Sequence, residues 1–143
     1  MNFLLDTCVI SELVARRPNA SVIEWVDGIE EEHLYLSVVT IGEIGKGIAK
    51  LKDAARAQDF RSWLHDQLLP RFGERILPIS TSVMLEWGQL AGTLEQEGKP
   101  MPAFDSLIAA TERHGELTLV TRNVDDFRNA GIRLLNPWEH DQA

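Results

Sequence analysis

At 143 residues, with 44% hydrophobic and 25% charged content, the chain has the size and composition of one ordinary domain with a buried core. Its one cysteine, Cys8, excludes an internal disulfide and a cysteine-rich zinc site, and no apolar run nears the roughly 20 residues that a membrane span needs. The net charge of −8 counts weakly against a nucleic-acid partner without excluding one, because acids gathered at a metal centre raise the negative count without repelling a metal-bridged phosphate.

The opening Met1-Asn2-Phe3-Leu4-Leu5-Asp6 lacks a basic leader and reaches a carboxylate at once, so a secretory signal is not expected and the cytoplasm is the expected compartment. Residues 2–5 read as a first strand. Residues 7–17 follow as a helix, apolar at Val9, Ile10, Leu13 and Val14 and stopped by Pro18. A short helix is expected over 21–26 and a second strand over 34–38. Residues 40–52 carry Ile41, Ile44, Ile48 and Leu51 on one helical face, and 53–69 continue as an amphipathic helix with Phe60, Trp63, Leu64 and Leu68 inward. A third strand over 75–79 leads to a helix over 82–97, which Gly98-Lys99-Pro100 ends. The next helix, 102–114, has a proline in its first turn and Gly115 after its last. Strands over 117–120 and 132–135 complete the pattern. Alternating strands and helices define a single α/β domain, with a mainly parallel sheet of four to five strands flanked by helices. In such sheets ligands gather beyond the carboxyl ends of the strands, which directs attention to the residues after each apolar run.

Asp6 follows the first strand directly. Position alone favours an N-cap carboxylate over a metal ligand, but both roles want an acid here, so only its companions decide. Glu43 stands early in its helix beside Gly42, Gly45 and Gly47. A helical glycine costs about 0.8–1.0 kcal/mol relative to alanine, so three in six residues imply that a backbone or a ligand approaches this side closely. Asp105 lies three and four residues before Ile108 and Ala109, over the inward face, where an aspartate must be paired, hydrogen-bonded or metal-bound. Past the fourth strand stand Asn123, Asp125 and Asp126, of which Asp126 is the better site candidate and Asn123 a polar ligand or water-holder. Oxygen ligands alone suit a hard cation, magnesium or else manganese, and such a site supports hydrolysis of a phosphodiester. No Ser or Cys nucleophile has a histidine partner in sequence, and no glycine-rich phosphate loop is present.

Four segments resemble, in order, the motifs of PIN-domain ribonucleases. These are Leu4-Leu5-Asp6-Thr7-Cys8-Val9-Ile10-Ser11-Glu12, then Thr40-Ile41-Gly42-Glu43-Ile44-Gly45-Lys46-Gly47-Ile48, then Phe104-Asp105-Ser106-Leu107-Ile108-Ala109-Ala110-Thr111, and finally Leu119-Val120-Thr121-Arg122-Asn123-Val124-Asp125-Asp126-Phe127. With Asn136-Pro137-Trp138, the last is similar to the VapC-type toxins, particularly their FitB-like branch. The resemblance implies a PIN-like domain over residues 1–143 and a magnesium-dependent endoribonuclease toxin. Its partners would be an RNA substrate, a small VapB-type antitoxin and a second copy in a homodimer, with DNA reached only through the antitoxin in a higher assembly. Asp6, Glu43 and Asp105 match the family's acidic triad. Asn123 stands where many PIN domains have aspartate, so Asp126 is the candidate to complete the site. Thr7 and Thr121 are expected to support the metal shell, and Lys46 and Arg122 to contact RNA phosphates. A PIN-fold regulatory partner of an antitoxin with little hydrolysis, and a nuclease acting on DNA or ribosomal RNA, are the competing readings. The tryptophans Trp25, Trp63, Trp87 and Trp138 read as core or interface anchors.

Overall fold

The computed structural model describes the backbone of residues 1–142 and the side chains of residues 1–139. All five expected strands are present: β1 (Phe3–Leu5), β2 (Leu34–Ser37), β3 (Ile76–Leu77), β4 (Thr118–Val120) and β5 (Leu134–Leu135). They form one sheet in the order β3-β2-β1-β4-β5 with every pairing parallel. The first strand therefore lies at the centre.

Side chains alternate across this sheet as a period of two requires. Phe3 and Leu5 of β1, Leu34 and Leu36 of β2, and Val120 of β4 belong to one core. Leu4 and Leu119 belong to the other. The first core is covered by α1 (Thr7–Leu13), α2 (Ala20–Asp27), α3 (Val38–Ala49) and α4 (Ala54–Trp63). There Trp25 meets the Phe3 ring edge-on at a centroid distance of 5.0 Å. The second core is closed by α6 (Thr81–Gln96), α7 (Ala103–Gly115) and the short α8 (Val124–Phe127). These apolar residues, each worth about 1.5–3 kcal/mol when fully buried, hold the helices against the two faces.

The expected helices appear with shifted ends. The helix read from residue 40 begins at Val38, because the buried Ser37 caps it by accepting the Val39 N–H at 3.0 Å. The helix read over 53–69 starts one residue later, with Asp53 as its cap, and runs on to Phe72. Within it, Leu64–Leu68 widens into a π turn, and the Leu69 N–H reaches back to the Leu64 carbonyl before α5 (Leu69–Phe72) resumes. Pro70 lies in this last turn, and its missing N–H and bulky ring are what an ordinary α ladder does not accommodate. Gly115 was expected to follow the last turn of its helix, but it is helical, and Glu116 takes the left-handed conformation instead (φ 52°). Leu117 packs back over Gly115, where a Cβ would approach its Cγ and Cδ1 to 3.1 Å, so the glycine makes room rather than a turn.

Candidate acidic site at the carboxyl edge of the sheet

Asp6 leaves β1 while still in the ladder, its N–H donating to the Val120 carbonyl of β4 at 2.9 Å. Its side chain caps α1, one of the two roles the sequence allowed, and also engages the neighbouring strand's end. Oδ1 caps α1 by accepting the Thr7 N–H at 2.9 Å. Oδ2 accepts the Thr121 hydroxyl at 2.8 Å. Thr121 follows β4 and is fully buried, and its hydroxyl oxygen accepts the Asn123 N–H at 3.0 Å. The Cys8 sulfur lies 3.9 Å from Asp6 Oδ2 and 3.5 Å from the Thr121 hydroxyl. Burial pushes the Cys8 thiol up.

Glu43 is held from the other side. Thr7, the first residue of α1, donates its hydroxyl to Glu43 Oε1 at 2.7 Å, and the buried Thr40 hydroxyl lies 3.2 Å from that of Thr7. Thr40 stands one turn before Glu43 on α3. That i, i+3 spacing was the available signal for a residue that sequence reasoning passed over.

Asp105, in the first turn of α7, is half-buried as its helical position implied. Burial, followed by the charges of Asp6, Asp126 and Glu43, raises its carboxyl to about 6. Asp6 is also raised, first by burial and with Asp126 adding to it, despite its hydrogen bonds to Thr121, Thr7 and Cys8. Four acids from β1, α3, α7 and α8 therefore share one field. Asp125 points elsewhere, into an ion pair with Arg128, whereas the exposed Asn123 joins the site through its backbone N–H and makes no side-chain cap bond. Lys46 and Arg122 are exposed and form no ion pair among the described residues. The Arg122 guanidinium rests 5.4 Å from the Trp138 ring centroid.

The three glycines around Glu43 do not mark a close backbone approach. A Cβ at Gly42, Gly45 or Gly47 would meet nothing within 4 Å. The space beside Gly47 belongs to a groove of about 910 Å³ between α1, α3 and α4. Its lining includes the apolar Ile10, Ile44, Ile48, Phe60 and Trp63, together with Thr7 and Glu43 of the acidic site. Sequence reading missed this groove, because it depends on how three helices splay.

An all-oxygen set, in which neighbouring acids help to raise the Asp6 and Asp105 carboxyls, fits a hard dication that would relieve the repulsion. Asp6, Glu43 and Asp105 do not stand within 4.8 Å of one another. Among the described residues the trio at that spacing is Glu30, Glu32 and His33, at the opposite end of β2.

The family model described as PIN domain matches residues 3–132, and the chain belongs to that family. It is similar to the Toxin FitB of Neisseria gonorrhoeae, with 37% identity over 96% of this chain and 99% of that protein. It is also similar to the VapC ribonuclease Y4jK of Sinorhizobium fredii, with 34% identity over 95% and 97% of the two chains. The FitAcB crystal structure from Neisseria gonorrhoeae superposes with a TM-score of 0.90 at 36% identity, covering 95% of this chain and 98% of that one. A structure of FitAB bound to an IR36 DNA fragment superposes at 0.88 with 34% identity, over 95% of each chain.

Proposed function

We propose that the chain is a magnesium-dependent endoribonuclease and the toxin of a VapBC-type toxin–antitoxin pair. The observation that carries this reading is the network Asp6–Thr121 and Thr7–Glu43, which faces two acids toward Asp105 and Asp126 at the carboxyl edge of the sheet. Asp6 and Asp105, with Glu43, would hold magnesium or manganese, and Asp126 would complete the set. A bound dication supplies positive charge to a phosphate oxygen and acidifies an attacking water. Thr7 and Thr121 fix the orientation of Glu43 and Asp6. Lys46 and Arg122 would meet neighbouring phosphates, and the Trp138 face restricts where the Arg122 guanidinium can go. Relatives named toxin and VapC ribonuclease support the substrate class.

The groove between α1, α3 and α4 is suited to an amphipathic segment of an antitoxin. Its apolar residues would bury one face of the segment, and its lining also offers Arg16, Arg56, Asp53 and Asp59 to polar groups. A partner seated there would cover Glu43. Homodimerisation, residence in the cytoplasm and contact with DNA through the antitoxin alone belong to the same reading, as does one domain for the whole chain.

The test maps RNA ends produced by the purified protein in magnesium and in EDTA, beside Asp105→Asn and Glu43→Gln. Cleavage that needs magnesium and disappears in both folded variants is expected. Equal cleavage by the variants overturns the site, and cleavage of DNA in place of RNA overturns the substrate. A wild-type chain that binds its antitoxin but cuts nothing would make it a regulatory partner.

A further inference from the structure

Asp105 stands in the first turn of a helix that has no side-chain cap. The residue at that position is Pro102, which offers no hydroxyl or carboxylate to the free N–H groups. The Asp105 carboxyl lies within the field of Asp6, Asp126 and Glu43. An uncapped turn carrying one carboxylate within the field of three others needs a restraint from behind.

That restraint comes from the neighbouring helix. Trp87 of α6 donates its indole N–H to Ser106 Oγ at 2.8 Å. Ser106 is 2% exposed and donates its own hydroxyl to the Ala103 carbonyl at 2.9 Å. The chain Trp87–Ser106–Ala103 therefore ties the turn on both sides of Asp105 to α6, and its hydroxyl is satisfied as both acceptor and donor. Removing the indole N–H leaves a buried hydroxyl oxygen short of a donor and removes this hydrogen-bonded tie of the turn to α6. By contrast, the other polar tie between these helices, Arg113 to Glu86 at 3.1 Å, acts near the far end of α7.

We infer that Trp87, acting through Ser106, is a positioning residue that sets the distance of Asp105 from the other site acids and thereby the affinity of the site for a divalent cation. This rests on the metal-site reading above.

The experiment measures manganese binding by calorimetry on wild-type, Trp87→Phe, Ser106→Ala, the double variant and Glu86→Gln, with thermal melts in EDTA. Backbone amide hydrogen exchange at Ser106 and Leu107 is followed alongside. Trp87→Phe keeps an aromatic ring in the contact and removes the donor. It is expected to weaken manganese binding about tenfold, at the low end of what supporting residues around a metal site contribute, and to speed exchange at those two amides. Ser106→Ala should do the same. The double variant should be no weaker than the worse single one, because both act through one hydrogen-bond chain. Glu86→Gln should leave affinity and exchange unchanged even where it lowers the melting temperature. Unchanged manganese affinity in a folded Trp87→Phe overturns the inference, as does a loss that Glu86→Gln reproduces. A wild-type chain that binds no manganese overturns the site reading and this inference with it.

Discussion

The hydroxyl of Thr7 donates to Glu43 Oε1 at 2.7 Å, joining two residues 36 positions apart on different helices. Thr7 is the first residue of α1, so the strand that delivers Asp6 also delivers the donor that orients Glu43. Thr7→Val keeps the branched shape and removes the hydroxyl. Cleavage is expected to fall at least tenfold, about 1.4 kcal/mol of barrier, with a modest drop in melting temperature because the buried Thr40 hydroxyl also loses its partner. Single-turnover cleavage and a thermal melt check both.

Thr121→Val should cost more stability, because its hydroxyl is fully buried as well as shared between two partners. The valine leaves Asp6 Oδ2 and the Asn123 N–H without their partner. An unsatisfied buried group costs about 1–3 kcal/mol, so urea unfolding should show a loss of that order together with lost cleavage.

Asp105 predicts a pH dependence of opposite sign with and without metal. Its folded carboxyl titrates at about 6, above the ordinary value of about 3.9. A raised acid stabilises the fold most below its unfolded value, and that contribution is lost as pH rises through 6. In EDTA the melting temperature should therefore fall between pH 4 and 7. Magnesium binds the ionised form, so its stabilisation should be strong at pH 7.5 and nearly absent at pH 5. Asp105→Asn should flatten both curves, and a magnesium effect that persists in it at wild-type size would refute the assignment.

Glu112 contributes a metal-independent part to the same slope. It is buried on α7, its Oε2 accepts the Arg133 N–H at 3.1 Å, and burial lifts its carboxyl to about 7. Here too stability is present below the unfolded value and is lost as pH rises through 7. Glu112→Gln keeps an acceptor for Arg133 and removes the charge. Its melting temperature should exceed wild-type by a few degrees at pH 8 and converge at pH 5, with metal binding unaltered.

Asp126 and Asn123 can be separated directly. Asp126 adds to the raised carboxyls of Asp6 and Asp105, whereas Asn123 engages through its backbone. Asp126→Asn should weaken manganese binding severalfold and Asn123→Ala should leave it near wild-type, as calorimetry would read.

What the sequence carried well was periodic or positional. Apolar runs gave all five strands, and the spacing of Asp105 to Ile108 and Ala109 gave its half-buried placement. Thr7 and Thr121 entered as support for the acids through motif resemblance, and their hydrogen bonds fit that role. What stayed hidden was set by packing. No local pattern foretells that Leu64–Leu68 widens beside Pro70, that Leu117 folds over Gly115, or that Trp87 reaches Ser106 across two helices. The glycines misled because a small residue opens space as readily as it admits a neighbour, and at Gly47 the space is the groove.

The placement of β1 between β2 and β4 has a consequence for the order in which a ribosome makes this protein. Asp6 emerges before the other three acids, yet the strand that leads to it must wait for Thr118–Val120 to complete its ladder and for Thr121 to orient its carboxylate. Asp105 and Asp126 emerge later still than Glu43. A nascent chain therefore lacks the acid cluster until residues 105–126 have been made. The activity proposed here would be withheld from the translating ribosome by topology alone, before any partner is needed to restrain it.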